Sequence, residues 1–408
     1  MVTGGGGHMA AEPFVIDVGD EEIADLRARL ERTRWPHEAA GNEGWEWGTN
    51  LEFMQRLVRY WREEYDWRAV ERELNRFKHY RAAVTAENGE EHQIHFVFER
   101  GSGSRPRPII LTHGWPSTFV EYLDVAERLA HPERFGGDAE DGFDVVVPSC
   151  PGFGFSSRPR LPIGPRAMAY LWDRLMREVL GYPRYIAHGG DLGAFITAQL
   201  GRHYESSLYG IHLTLLPLVF RLNDRVQAPV TAEEQAYLDA RERRSRGGTG
   251  YSAIQSTKPM ALAYGLTDSP VGLAAWIADK YFAWSDFERS RSSAAFEERV
   301  PLDELVTMAS IYWFTGTIAS ANNVYKAGQI ERSAGLGPGE RVRVPTGYAD
   351  YPQDVDGSGP RVPRSWAERA YELVHYAQLP RGGHFAAMAE PELFAADVRA
   401  FASKLRYE

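Results

Sequence analysis

The sequence predicts an α/β fold: a mostly parallel sheet flanked by helices, with a helical block inserted late in the sheet and a helical section ahead of it. Three observations carry this. Short apolar runs at Pro108–Leu111, Phe143–Val147 and Tyr185–Ala187 each end near a Gly, Pro or Asp, and each leads into a helical stretch, the alternation of βαβ units. From Phe220 to about Val300 the pattern is helical and charged, separating those runs from strand-like Arg341–Pro345 and Tyr371–Gln378. Ahead of the first run lie about 70 residues of helical periodicity, too few for a comfortable free-standing domain.

The elements follow in order. Residues Met1 to Met9, MVTGGGGHM, read as a cloning remnant outside the fold. Ile23, Leu26 and Leu30 mark an amphipathic helix over Glu21–Arg34 that breaks at Trp35-Pro36. Phe53, Leu57, Tyr60 and Trp61 share one side of a second helix, Leu51–Glu64, and Tyr65–Phe77 makes a short third. Residues 10–90 are therefore expected to be a helical extension packed over the body that follows. Gln93–Phe98 alternates as a half-buried strand and runs into Gly101-Ser102-Gly103-Ser104, which suggests a hairpin opening the sheet. Gly210–Leu216 reads as a further buried strand. The expected division is a core of residues 91–217 and 335–408 with a cap of residues 218–334, and no internal repeat is visible.

Composition narrows the functions available. At 408 residues, 43% apolar and 25% charged, the chain is globular, and a net charge of −10 with interleaved signs leaves no basic stripe for nucleic acid. Cys150 is the only cysteine, so a disulfide framework or cysteine-rich metal site is excluded and a cytoplasmic location is expected. The longest apolar stretch, Gly210 to Phe220, is broken by Pro217 and is well short of the roughly 20 residues of a membrane span, so no membrane association is expected. Basic residues are mostly arginine, a bias of GC-rich genomes that suggests a bacterial source.

In open parallel sheets reactive groups gather at the carboxyl ends of strands. Three such places stand out. His188-Gly189-Gly190-Asp191-Leu192-Gly193 is a strand entering a glycine-flanked turn before a helix, the geometry that presents a nucleophile, here Asp191. An aspartate capping that helix reads the same residues equally simply. Thr112-His113-Gly114-Trp115-Pro116 is a turn able to aim a backbone N–H at an oxyanion, or a rigid loop that buries Trp115. Arg381-Gly382-Gly383-His384-Phe385 places a histidine on a late loop, suited to a general base. His92 and His95, three apart on a strand, point to opposite faces and make no metal pair, and His212 reads as a satisfied sheet histidine. Oxyanion loop, nucleophile, acid, histidine is the chain order of the α/β-hydrolase fold, with Asp350, Asp354 and Asp356 available as the acid.

These residues resemble the epoxide hydrolases of the α/β-hydrolase superfamily, in the microsomal-type branch with an extra N-terminal region. The resemblance spans nearly the whole chain. It rests on RLERTRWP (Arg29–Pro36), YWREEYDWR (Tyr60–Arg68), HGWPSTF (His113–Phe119), PGFGFS (Pro151–Ser156) and GGDLG. Further on it rests on GYSAIQSTKP (Gly250–Pro259), DSPVGLAAW (Asp268–Trp276), YWFTGT (Tyr312–Thr317), VPTGY (Val344–Tyr348) and RGGHFAAMAEPE (Arg381–Glu392). It implies that Asp191 attacks the epoxide to form an ester, with Tyr251 and Tyr325 of the cap as acids toward the alkoxide. His384, oriented by Asp354, then activates water, and the N–H groups of Trp115 and Leu192 hold the oxyanion. Asp356 is the alternative acid. A vicinal diol leaves, and no cofactor or metal is implied. Leu192 departs from the tryptophan frequent after the nucleophile in this branch. A haloalkane dehalogenase uses the same aspartyl ester but wants side-chain N–H donors for halide, which Leu192 does not supply; a silent hydrolase fold used as a ligand sensor is the other competing reading. Cap residues Trp276, Tyr281, Phe282 and Trp284 suit a bulky or aryl epoxide. Detoxification and antibiotic tailoring, including enediyne precursors, are the roles the resemblance implies in bacteria, the second being the reading taken. A homodimer is expected on base rates.

Overall fold

The computed structural model describes residues 3–4, 7–8, 11–38, 40–42, 45–217, 229–288, 292–333, 335–336, 340–354 and 361–407, without side chains at 3, 4, 7, 8, 244–247 and 292. Asp356 and the start of the inserted segment, 218–228, lie outside the described residues. The strands of the main sheet are β1 (Ala11–Phe14), β2 (His79–Thr85), β3 (Glu91–Glu99), β4 (Arg107–Thr112), β5 (Phe143–Pro148), β6 (Tyr185–Gly189), β7 (Leu208–Leu213), β8 (Val342–Asp350) and β9 (Tyr371–Gln378). They lie in the order β9-β8-β7-β6-β4-β5-β3-β2-β1. From β5 to β9 every neighbouring pair is parallel, and β5-β3-β2-β1 is antiparallel. Parallel strands covered on both faces need continuous apolar runs, and Phe143–Pro148 and Tyr185–Gly189 are buried at every position.

Two strands fall within the section read as helical. β1 is a short edge strand holding Pro13, and β2 begins with the buried polar pair His79 and Tyr80, so neither shows clean alternation. The hairpin partner of β3 is accordingly the preceding β2, joined through Ala86–Glu90, and not the segment after Ser104. That later segment, β4, lies between β5 and β6 in the parallel part. β8 extends to Asp350, past the expected end at Pro345, and β7 spans Leu208–Leu213.

The helices of the N-terminal section are α1 (Asp20–Glu31), α2 (Leu51–Glu63) and α3 (Trp67–Leu74), the last two capped by the side chains of Asn50 and Asp66. Helices α4 (Leu123–Ala130), α5 (Pro165–Arg174) and α6 (Asp191–His203) belong to the core. Between β7 and β8 stand α7 (Ala232–Gly248), α8 (Gly250–Thr257), α9 (Pro259–Asp268), α10 (Pro270–Trp284), α11 (Ser292–Arg299), α12 (Leu302–Thr315) and α13 (Ile318–Glu331). After β8 come α14 (Arg364–Glu368), α15 (Ala386–Ala389) and α16 (Pro391–Ala402). In the core α4 packs with α16 and α5 with α6.

The N-terminal section grips the inserted helices. Trp61 Nε1 donates to Ser310 Oγ at 3.0 Å, Tyr65 shares a hydrogen bond with Thr307 at 3.0 Å, and Trp45 stacks on Phe282 at 4.0 Å. A stacked pair of this kind adds about 1 kcal/mol beyond the area it buries. Phe282, expected near a substrate pocket, is therefore part of this packing seam. Tyr281 is fully buried against Phe385 at 3.9 Å and is likewise a packing residue.

Candidate active site

The strand order turns at β4, whose neighbours are β5 and β6, and ligand sites in such sheets form beyond the strand ends at that turn. β6 ends at Gly189, and α6 opens with Asp191 at φ +46°, a left-handed backbone that few non-glycine residues adopt. The turn is possible because the chain comes unusually close to itself. A Cβ on Gly193 would lie 1.9 Å from the Thr112 carbonyl oxygen, and one on Gly114 would lie 2.3 Å from the Asp191 Cβ, so only glycine fits at either position. The N-cap of α6 is Gly190, and the Asp191 side chain makes no capping bond. The capping alternative for Asp191 therefore fails.

The Asp191 carboxylate is held from two sides. Its Oδ1 accepts the backbone N–H of Trp115 at 2.9 Å, and its Oδ2 lies 3.3 Å from His384 Nε2. Both readings of the Trp115 loop hold together, because the indole is fully buried while the backbone N–H of the same residue donates to the carboxylate. His113 stiffens the loop, donating from Nδ1 to the Gly114 carbonyl at 3.0 Å and accepting the Cys150 N–H at Nε2 at 3.1 Å; the Trp115–Pro116 bond is cis. The N–H of Leu192 belongs to the first turn of α6, where backbone donors have no intrahelical acceptor.

His384 follows β9 on the loop before α15. Its Nδ1 lies 2.6 Å from Asp354 Oδ1, so the imidazole bridges two carboxylates. Burial works against a charge on this ring, yet the bonds to Asp191 and Asp354 outweigh it and lift the pKa to about 10. Asp350, on β8, is tied instead to the Tyr348 hydroxyl at 3.2 Å and to Arg361, and burial raises its pKa to about 6. The end of α10 secures the whole arrangement. Trp284 O accepts the His384 N–H at 3.0 Å, Ala283 O accepts from Gln353 Nε2 at 2.9 Å, and the Trp284 ring meets the His384 ring edge-on at 5.0 Å.

Tyr251, opening α8, stacks on Trp115 at 5.3 Å, and Tyr325 of α13 meets Trp115 edge-on at 5.9 Å. The two tyrosine rings are 5.9 Å apart, so Trp115, Leu192, Tyr251, Tyr325, His384 and, through His384, Asp354 gather about the Asp191 carboxylate. Burial, Tyr251 and Asp191 push the Tyr325 phenol well above its usual range, which keeps it a proton donor. Trp284, one of the cap aromatics expected to suit a bulky epoxide, forms a wall against His384, and two further residues of the site were not singled out for a role in it: Lys280 over the Tyr251 ring at 4.8 Å, and Glu121. Glu121 lies buried in the one-turn helix Phe119–Tyr122 just after the oxyanion loop, and burial raises its pKa to about 7. An acid inside the apolar run Phe119-Val120-Glu121-Tyr122-Leu123 is the signal that could have found it. Among the described residues no group of three His, Cys, Asp or Glu side chains could hold a metal ion, and no helix is long and apolar enough to cross a membrane.

The strand order and the strained aspartate facing a histidine define a hydrolase of the α/β-hydrolase fold. Residues 107–293 match the family model for that fold, and residues 11–122 match the epoxide hydrolase N terminus. The chain is 38% identical to a protein of Stigmatella aurantiaca provisionally named an epoxide hydrolase, over 97% of this chain and 85% of that one. It is 32% identical to epoxide hydrolase 1 of Sus scrofa, over 97% and 89% of the two chains. Among solved structures, the epoxide hydrolase of Aspergillus niger superimposes with a TM-score of 0.78 at 27% identity, covering 97% of this chain and 96% of that one. The chain belongs to the epoxide hydrolase family: it is an enzyme that hydrolyses epoxides with water.

Proposed function

We propose that hydrolysis runs through a covalent ester on Asp191. The observation that carries this is the carboxylate itself, pinned at Oδ1 by the Trp115 N–H and facing His384 through Oδ2. An epoxide carbon is strained and sp3, and an ionised carboxylate can attack it without first losing a proton. Oδ2 forms the C–O bond, the ring C–O bond breaks, and a tyrosine proton caps the departing alkoxide. Oδ1 stays where the oxyanion of the next step will develop.

The charge balance then turns His384 into a base. Esterification removes the negative charge of Asp191, one of the two carboxylates holding the His384 pKa up to about 10. The imidazolium can then return a proton to the tyrosinate, and neutral His384, oriented by Asp354, takes one from water as it attacks the Asp191 carbonyl carbon. The N–H groups of Trp115 and Leu192 receive the oxyanion. Collapse expels the diol oxygen, which leaves with the proton of the new carboxylic acid, and Asp191 and the imidazolium are restored.

The walls of Trp115, Tyr251, Trp284 and Tyr325 support a bulky or aryl epoxide as substrate, and tailoring of such epoxides in antibiotic biosynthesis by a bacterium, in the cytoplasm, is the role we attach to it. The test is vicinal-diol formation from racemic styrene oxide by the wild type and by Asp191→Ala at equal concentration. Diol from the first alone, with a one-substrate mass adduct on briefly exposed wild-type protein, is expected; diol from both would overturn the role of Asp191. Faster turnover of small aliphatic epoxides would overturn the substrate class.

A further inference from the structure

Four of the five lysines in the chain are exposed; Lys280 is buried, at 8% exposure. It lies on α10 with Trp276 one turn before and Trp284 one turn after, so the three side chains share a face. Its ammonium is 4.8 Å from the ring centre of Tyr251, 5.8 Å from that of Trp284 and 5.9 Å from that of Trp276. Asp279 Oδ2, at 2.6 Å, is its ion-pair partner. Lysine normally runs its stem along apolar surface and keeps its charge in water. Here the charge is turned inward against the aromatic wall of the active site.

The two cap tyrosines consequently stand in unequal surroundings. Tyr325 is hydrogen-bonded to Tyr251 in the sense that keeps the Tyr325 proton in place, and Asp191 acts on it in the same direction. Tyr251 carries the ammonium over its ring and has the Tyr325 hydroxyl beside its own, and both favour negative charge on the Tyr251 oxygen. The other charged groups about it are Asp279 beside Lys280, Asp191 beneath Trp115, and His384 behind Trp284.

Building on the ester mechanism above, we propose that Tyr251 is the residue that protonates the opened ring and that Lys280 is its positioning residue, stabilising the tyrosinate left behind. In the ring-opening step the Tyr251 O–H bond breaks, its proton goes to the alkoxide oxygen, and the charge that remains is faced by the Lys280 ammonium. Lys280 touches no reacting atom.

The experiment is single-turnover ring opening of styrene oxide, read as intact-protein adduct mass between pH 6 and 10.5, in wild type, Lys280→Met and Lys280→Arg. Without the ammonium Tyr251 becomes a weaker acid, so Lys280→Met should open the ring about tenfold more slowly at pH 7. Its alkaline limb, where the donor loses its proton, should move up by about one pH unit. Lys280→Arg should restore both, while decay of the preformed ester stays as in wild type. An alkaline limb unmoved in Lys280→Met overturns the proposal, whatever the loss in rate. Should Lys280→Met fold poorly, Tyr251→Phe against Tyr325→Phe decides: faster ring opening in Tyr251→Phe than in Tyr325→Phe overturns it. Absence of any adduct on the wild type would instead overturn the ester mechanism on which the proposal rests.

Discussion

His384 sits between two carboxylates, and elsewhere on the same sheet Asp397 sits between two histidines. Register brings His188 of β6, His212 of β7, Gly347 of β8 and His375 of β9 into one row across four parallel strands. Asp397 of α16 bridges the row, accepting from His212 Nε2 at 2.9 Å and His375 Nε2 at 2.8 Å, and the Phe401 ring lies in the space that a side chain on Gly347 would need. With Lys404 charged, one direction satisfies every link. Lys404 donates to His375 Nδ1 and His375 to Asp397, while from the other side Tyr122 donates to His188, His188 to His212 and His212 to Asp397. Burial pushes the His188 pKa down, in keeping with a neutral ring, and the bonds from His212 and His375 hold Asp397 below the usual carboxylate range against the effect of burial. The difference is in what each cluster leaves open. Every polar atom of Asp397 is spent inside the fold, whereas the Asp191 side chain, 14% exposed, keeps an oxygen turned toward the cap and the histidine. A closed cluster stabilises a fold; one with an unfinished face can react.

The comparison breaks first at His384. In His384→Gln, ring opening should proceed and ester hydrolysis stop, so intact mass should show one substrate per chain while diol turnover falls by at least about 10⁴-fold. Turnover near the wild-type level would remove His384 from the hydrolytic step. Asp354→Asn is the gentler cut. It preserves shape but withdraws a charge that lifts the His384 pKa and fixes its ring, so diol release should fall by about 10²–10⁴-fold, with partial accumulation of adduct. Full diol production would transfer the role to another acid, Asp356 being the one expected from sequence.

Much of the reactive cluster was legible because its chemistry is local in sequence. GGDLG and HGWP each carry the glycines that let two segments touch, and such close approaches admit few alternatives. Asp354 was legible only through register against VPTGY, since three aspartates in seven residues are indistinguishable by type. The closed cluster was invisible. Residues 188, 212, 375 and 397 meet only after four strands and a helix have found their register, and reading His212 as a satisfied sheet histidine was as far as one strand could lead. β1 and β2 escaped notice because an edge strand with proline and a strand with buried histidine break the expected alternation. Lys280 escaped because a lysine on an apolar helix reads as surface until the rings around it are located.

The smallest expected effect on turnover, and the sharpest on stability, comes from Asp397→Asn. Replacing a carboxylate oxygen that accepts a buried imidazole N–H with an amide NH2 that cannot should destabilise the fold by about 1–3 kcal/mol while leaving turnover per folded chain nearly unchanged. The pH dependence separates the two clusters by sign. Asp397 titrates lower in the folded chain than its ordinary 3.8, so its stabilisation is complete above that value and is lost as pH falls toward the folded pKa. His384 titrates higher than its ordinary 6.5, so its stabilisation is complete below 6.5 and is lost as pH rises through about 10. Thermal melts should therefore show the gap between wild type and Asp397→Asn constant from pH 8 to 5 and narrowing below about pH 4, while the gap for His384→Gln narrows on the alkaline side. A gap for Asp397→Asn that closed toward alkaline pH would mean that Asp397 is not the anion of its cluster, and the mirror relation between the two clusters would fall with it.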